Sequence, residues 1–222
     1  MRTLYSVNKI RLAELGMSDK YDGFAQLAAE ETQGRDYQIV VNDRSNKVSI
    51  IAPHGGYIEP GTSQLAESIA AKDFSLYCFK GLAEDRPHRD LHITSSNFDE
   101  PRCLDLVKSS DIVVAVHGRH DADDDQGVWL GGLDIQLRES ISTALCRAGF
   151  VVKQNGHAFP ATSPMNICNR GRRSMGVQLE LPRTLRDRLT LDEELRASFG
   201  SAVREGVERT LKLLAKREER QC

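Results

Sequence analysis

The run His54-Gly55-Gly56-Tyr57-Ile58-Glu59 holds the first side chains in this chain whose types and spacing could do chemistry. The two glycines after the histidine allow a tight reversal of the backbone, so that the imidazole and the carboxylate can converge on one ion. Zinc accepts both kinds of ligand. A surface histidine and a glutamate at a helix N-terminus, where a negative charge is favoured, would explain the same residues without a metal.

A second histidine, His117, directly follows the apolar run Ile112-Val113-Val114-Ala115-Val116. This run has no polar alternation, which predicts a strand that is buried on both faces at the centre of a sheet. If it runs parallel to the strand before His54, both histidines lie at one edge of the sheet, where α/β proteins form their sites. His120 competes for the same role, but the acidic residues that follow it are typical of a solvated loop.

A carboxylate, Glu180, lies in the middle of the predicted strand Val177-Gln178-Leu179-Glu180-Leu181. Such a charge costs free energy unless its face of the sheet opens on solvent or on a cleft. Glu180 therefore either lies at an edge of the sheet that is open to solvent, or is a base placed for catalysis.

Two polar segments could bind a substrate. The loop that contains Asn166, Asn169, Arg170, Arg172 and Arg173 combines amides with guanidinium groups, which bind carboxylates in a bidentate manner and also suit phosphate. The other segment, His92-Ile93-Thr94-Ser95-Ser96-Asn97-Phe98-Asp99-Glu100-Pro101, follows a predicted strand and could line the same edge, although ordinary turn chemistry explains its polar residues equally well.

Strands and helices alternate along the chain, which predicts an α/β fold with a single open, mixed sheet flanked by helices. We expect one domain over residues 1–222, with residues 1–20 and 217–222 peripheral. The periodicity predicts strands at 37–41, 47–52, 74–79, 91–94, 111–116, 150–152 and 177–181, and helices at 24–29, 60–71, 101–108, 133–148 and 191–216.

Composition excludes several classes of protein. Thirty Lys and Arg residues against 32 Asp and Glu give a net charge of −2, so no global positive field recruits nucleic acid. No apolar run approaches the length of a membrane span. The five cysteines are widely spaced and lack a C-x-x-C pair, which argues against a disulfide framework. We predict a cytoplasmic monomer that binds neither nucleic acid nor membrane.

Read together, seven motifs resemble the poly-γ-glutamate hydrolase family of phages and their bacterial hosts, in order and in spacing, across roughly residues 20–190. The motifs are Ala52-Pro53-His54-Gly55-Gly56, Ile58-Glu59-Pro60-Gly61-Thr62, Leu91-His92-Ile93-Thr94-Ser95, Phe98-Asp99-Glu100-Pro101, Val116-His117-Gly118, Asn166-Ile167-Cys168-Asn169-Arg170-Gly171 and Gln178-Leu179-Glu180-Leu181. The resemblance implies a fold akin to the zinc carboxypeptidases and hydrolysis of γ-glutamyl amide bonds. If a phage encodes the protein, we expect lysis to release it.

The resemblance also implies roles for single residues. His54, Glu59 and His117 match the family's zinc ligands, and Glu180 matches its general base. Asn169 and Arg170 resemble the Asn-Arg pair that recognises a carboxylate in carboxypeptidase-like enzymes. Tyr57 departs from the commoner His-Gly-Gly-Gly form, and Arg172 and Arg173 replace smaller residues.

In the mechanism that these roles predict, zinc activates a water molecule, and Glu180 takes its proton and passes it to the leaving amine. Arg170, with Asn169 or Asn97, holds the carboxylates of an anionic polymer or a small acidic amide. Arg102 or Arg119 stabilises the oxyanion. Two other functions stay open: a zinc amidohydrolase of a small acyl-amino acid, and a phage-associated, replication-linked binding protein with a structural zinc.

Overall fold

A seven-stranded sheet organises the computed structural model of this chain, which describes residues 18–122 and 124–219. The strands lie in the order β1-β3-β2-β4-β7-β5-β6. Their bounds are β1 Tyr37–Asn42, β2 Val48–Gly56, β3 Ser75–Gly81, β4 Ile112–Arg119, β5 Val128–Gly131, β6 Val152–Lys153 and β7 Val177–Pro182.

The four middle strands of the sheet, β3, β2, β4 and β7, are parallel to one another. β1 pairs antiparallel with β3, β5 pairs antiparallel with β7, and β6 pairs parallel with β5. The sheet is therefore mixed. The apolar strand β4 is the fourth of the seven, which confirms its predicted place at the centre.

Among the described residues, six α-helices cover the two faces of the sheet. They are α1 Phe24–Glu30, α2 Thr62–Ala70, α3 Pro101–Ser109, α4 Ile135–Arg147, α5 Arg183–Leu191 and α6 Glu193–Glu219. Helices α2, α4, α5 and α6 pack on one apolar core with Ile50 and Val114, and α1 and α3 pack on a second core with Ile51 and Val113. Neighbouring residues of a strand point to opposite faces. Since β2 and β4 are covered on both faces, their apolar runs are uninterrupted, and the predicted α/β fold is confirmed.

The structure differs from the prediction at several elements. β2 continues past Pro53 to Gly56 through a shift in register between Ala52 and Gly55, so a proline that lacks an N–H is accommodated at an irregularity. The predicted strand 91–94 was wrong: a 3₁₀ turn at His88–Asp90 leads into irregular backbone there. β5 and the arginine-rich α5 were not predicted.

The two peripheral segments are described only in part, because residues 1–17 and 220–222 lie outside the described residues. Within residues 18–20, Asp19 and Lys20 contact the folded body at His92 and Glu31. None of the described helices is both long enough and apolar enough to cross a bilayer. The described cysteines, Cys78, Cys103, Cys146 and Cys168, are free thiols.

Candidate metal centre

Three neighbouring parallel strands bring the predicted catalytic side chains to one edge of the sheet. His54 lies near the end of β2, His117 near the end of β4, and Glu180 near the end of β7. β2 pairs with β4 in parallel, as predicted, and His117 is the register partner of Glu180 on β7. The carboxyl ends of these strands therefore form the floor of a common site.

The glycine at position 56 lets the chain turn back so that Glu59 reaches His54. Gly56 has φ +63°, and a Cβ there would lie 2.2 Å from the carbonyl oxygen of Gly81. A larger residue would meet both strain and a clash. After this turn the backbone N–H of Glu59 donates to the carbonyl of His54 over 2.9 Å.

The side chains of His54, Glu59 and His117 converge on one point, and all three are buried. His54 Nδ1 lies 3.1 Å from Glu59 Oε1 and 3.1 Å from His117 Nδ1, and His117 Nδ1 lies 3.7 Å from Glu59 Oε2. His54 Nε2 lies 2.8 Å from the carbonyl oxygen of Ile93, which only accepts a hydrogen bond. The proton of a neutral His54 is therefore on Nε2, and Nδ1 presents its lone pair to the other two groups.

Three electron-rich groups at these distances repel one another unless a positive charge lies between them. A proton bridges only two of them, whereas a metal ion is held by all three. Two imidazole nitrogens and one carboxylate oxygen are a zinc-type donor set. The geometry fits the predicted metal site.

His92, for which no ligand role was predicted, is a further member of the centre. His54, Glu59 and His92 each place a possible ligand atom within 4.8 Å of the other two. His92 Nε2 lies 4.0 Å from Glu59 Oε1, whereas His117 Nδ1 lies 3.7 Å from Glu59 Oε2. The His92 ring packs on the His54 ring, with the ring centroids 3.9 Å apart. Its position in the polar segment 92–101 was the signal in the sequence. The competing candidate His120 is exposed at the cleft and lies outside this group.

The pKa values of the two carboxylates of the site, Glu59 and Glu180, are shifted in opposite directions. Burial raises the pKa of Glu180 well above its usual range, and the negative charge of Glu59 raises it further. Burial also acts to raise the pKa of Glu59, but the interactions with His54 and His117 outweigh it and hold that pKa well below its usual range. Glu59 also accepts a 2.7 Å hydrogen bond from the backbone of Gly118. Glu59 thus keeps a negative charge for a cation, while Glu180 favours a proton.

The centre lies in a cleft of about 920 Å³. Apolar side chains such as Tyr57 and Phe159 form part of its walls, and four arginines also line it: Arg86, Arg119, Arg183 and Arg186. Of these, only Arg119 was predicted. The signal for Arg183 and Arg186 would have been their place directly after the strand that carries Glu180.

Most of these arginines are engaged with the protein itself. Arg119 is buried, donates to the carbonyls of His120, Asp121 and Gly127, and packs over the Trp129 ring at 3.6 Å. Arg186 is also buried and donates to the carbonyls of Leu181, Pro60 and Arg119. Arg86 pairs with Glu31, Asp36 and Asp90. Arg183 is the half-exposed member, and it pairs with Asp187 one turn along α5.

Asn169 and Arg170, predicted to bind substrate, lie outside the cleft lining. The buried Asn169 amide accepts from the backbone N–H groups of Leu133 and Gly176 and donates to the carbonyls of Ala161 and Ser163, so all of its bonds serve the fold. Arg170 donates to the carbonyl of Phe98. Neither side chain lines the cleft itself, although the carbonyls to which Asn169 donates belong to Ala161 and Ser163, which do.

The other predicted substrate residues are also placed elsewhere. Arg172 lies beside Ser110 and Asp111, at the start of β4. Because a strand rises about 3.3 Å per residue, this point is roughly 20 Å from His117. Arg173 donates to Asp134 over 2.6 Å. Asn97 and Arg102 are exposed and are absent from the described residues that line the cleft.

We expect Asn169→Ala to destabilise the protein without weakening substrate binding. The substitution leaves two backbone N–H groups and two carbonyls without their partner. At roughly 1–3 kcal/mol for each buried group left unpaired, the free energy of unfolding should fall by about 3 kcal/mol or more. Urea denaturation measures this loss. A normal denaturation midpoint together with a raised KM would instead support the predicted contact between Asn169 and the substrate.

Comparison with known proteins places the fold and the site in context. A family model described as poly-gamma-glutamate hydrolase matches residues 21–204. The SPbeta prophage-derived UPF0714 protein YoqZ of Bacillus subtilis is 37% identical over 166 residues, which are 74% of this chain and 59% of YoqZ. The UPF0714 protein YndL of the same organism is 34% identical over 172 residues, 77% of this chain and 66% of YndL. The chain thus spans less than two thirds of either relative.

Two solved structures are also similar. A bacteriophage poly-gamma-glutamate hydrolase superposes with a TM-score of 0.83 at 30% identity, covering 88% of this chain and 100% of that one. A zinc-free structure of YndL superposes with a TM-score of 0.78 at 29% identity, covering 87% of this chain and 99% of that one.

Proposed function

The chain belongs to the poly-gamma-glutamate hydrolase family, and we propose that it is a zinc-dependent hydrolase that cleaves the γ-glutamyl amide bonds of poly-γ-glutamate. One observation carries the proposal: His54, Glu59 and His117 converge within 3.1–3.7 Å of one another, beside the strand end that presents Glu180. We further propose that the enzyme is a cytoplasmic monomer that does not bind nucleic acid.

The donor set supports zinc as the metal. Imidazole nitrogens suit zinc, whereas magnesium prefers a shell of oxygen atoms. Three protein ligands leave a fourth position open, which is the pattern of a catalytic site rather than a structural one. The YndL structure is an apo form described as zinc-free, which also supports zinc as the metal. Bound zinc would supply a Lewis acid that polarises the scissile carbonyl and lowers the pKa of a water molecule toward ~7.

Glu180 has the properties that a general base and acid needs. It is buried at the cleft, and its raised pKa makes the carboxylate a stronger base than an exposed glutamate. Gln178 Nε2 donates to Glu180 Oε1 over 2.6 Å and so orients the carboxylate. In the proposed reaction Glu180 removes a proton from the attacking water and delivers it to the amine that leaves.

The charge of the cleft supports a substrate that carries carboxylates. Poly-γ-glutamate has a free α-carboxylate on every unit. Arg119 and Arg186, buried against backbone carbonyls, contribute positive potential from within the wall, where it is little screened. Arg183, half-exposed at the cleft, can meet a substrate carboxylate directly. We propose that these residues meet the substrate in place of the predicted cluster of Arg170, Arg172 and Arg173.

The decisive experiment compares two polymers. We expect the zinc-loaded protein to shorten poly-γ-glutamate but not α-linked polyglutamate, with chain length followed by gel electrophoresis. The Glu180→Gln protein is the matched control for a contaminating hydrolase. Equal cleavage of both polymers would contradict the γ-specific proposal. Cleavage of neither, with hydrolysis of a small acyl-amino acid, would favour the small-substrate amidohydrolase.

A further inference from the structure

Asp19 contacts the metal centre from the segment just before the part of the chain that matches the family. Its Oδ1 lies 2.6 Å from His92 Nδ1. Its Oδ2 accepts from the backbone N–H and from the hydroxyl of Thr94, each over 2.7 Å. Burial acts to raise the pKa of Asp19, but the bonds from His92 and Thr94 outweigh it and lower that pKa.

The hydrogen bond determines which nitrogen of His92 carries the proton. An ionised carboxylate can only accept, so the proton of a neutral His92 is on Nδ1. Nε2 then presents its lone pair, and this is the nitrogen that lies 4.0 Å from Glu59 Oε1. The ring is further held between His54 and His88, whose centroids lie 3.9 and 4.4 Å away.

We propose that Asp19 is a positioning residue of the metal centre: it holds His92 in the tautomer and orientation whose Nε2 lone pair, rather than an N–H, faces the cation bound at His54, Glu59 and His117, without making His92 a fourth ligand. The inference rests on the proposed zinc site. A carboxylate that receives the second N–H of a histidine beside a metal fixes the ring and strengthens its interaction with the cation.

Asp19→Asn should reverse the tautomer while keeping the shape of the side chain. The backbone N–H of Thr94 needs an acceptor, so the amide oxygen of the new asparagine occupies the place of Oδ2. Its NH₂ group then takes the place of Oδ1 and donates to His92 Nδ1. The ring proton moves to Nε2, where it faces the cation.

The test measures the zinc dissociation constant by competition with a chromophoric chelator. We expect Asp19→Asn and His92→Gln each to weaken zinc binding by about 10- to 100-fold. Since Asp19 acts through His92, the double variant should bind no more weakly than His92→Gln alone, within about twofold. Two controls should stay near the wild-type value: Thr94→Val, which removes one of Asp19's other bonds, and Asp85→Asn, which removes an exposed charge of the neighbouring loop.

Three results would overturn the inference while leaving the zinc site intact: wild-type affinity in Asp19→Asn, additive losses in the double variant, or an equal loss in Thr94→Val, which would mean that Asp19 only anchors the loop. A readout on the unmodified protein does not depend on how any variant folds. ¹⁵N NMR of the zinc-loaded wild type should show His92 protonated at Nδ1, and protonation at Nε2 would contradict the proposal. A wild-type protein that binds no zinc would overturn this inference together with the proposed function.

Discussion

Glu180→Gln is expected to lower kcat on poly-γ-glutamate by a factor on the order of 10² to 10⁴, the usual contribution of a general base. The amide has the size of the carboxylate but cannot take the proton of the attacking water. The binding groups around it are unchanged, so KM should change little. Initial rates of polymer cleavage at saturating substrate measure the effect.

Zinc content and thermal stability should survive this substitution. Glu180 is buried, and its charge is repelled by that of Glu59, so a neutral amide relieves an unfavourable interaction. Gln178 can keep its hydrogen bond to the amide oxygen. Glu84→Gln, which neutralises another carboxylate of the cleft, is the matched control and should retain the wild-type rate. A wild-type rate in Glu180→Gln would require the base to be reassigned.

His54→Ala is expected to remove both zinc and activity. His54 Nδ1 is the atom closest to both other proposed ligands, at 3.1 Å from each, so its loss opens the centre of the site. A metal contributes several kcal/mol to the stabilisation of the transition state, so its removal should lower the rate by a factor on the order of 10³ or more. Elemental analysis should find about one zinc per wild-type chain and less than about a tenth of one in the variant.

His120→Ala is the control for this loss, because it removes an exposed histidine from the same cleft. It should keep its zinc. His117→Ala compared with His92→Ala then identifies the third ligand: the distances predict the larger loss for His117. Full zinc content in His54→Ala would rule out the proposed metal centre.

The sequence by itself determined the framework and the reactive core of the site. Apolar runs without alternation predicted the buried strands β2 and β4, and the central place of β4 followed from its composition. Residues at the ends of parallel strands meet whatever the details of packing, so the convergence of His54 and His117 was predictable, whereas the place of Glu180 beside them was implied by the resemblance to the family. The glycines after His54 indicated the turn that returns Glu59 to it. Apart from the role of Glu180, these inferences depend on local pattern and on strand geometry alone.

Only the tertiary structure decided which polar residues join that core. The loop from Asn169 to Arg173 has the composition of a substrate site, yet its side chains bind backbone groups or the carboxylate of Asp134, or lie at the opposite end of β4. Asp19 and His92 are far apart in sequence and meet at 2.6 Å. Strand periodicity gives the edge to which a strand carries its residues. The direction of a loop side chain depends instead on which distant backbone groups need a hydrogen-bond partner, and those groups become neighbours only when the chain is folded.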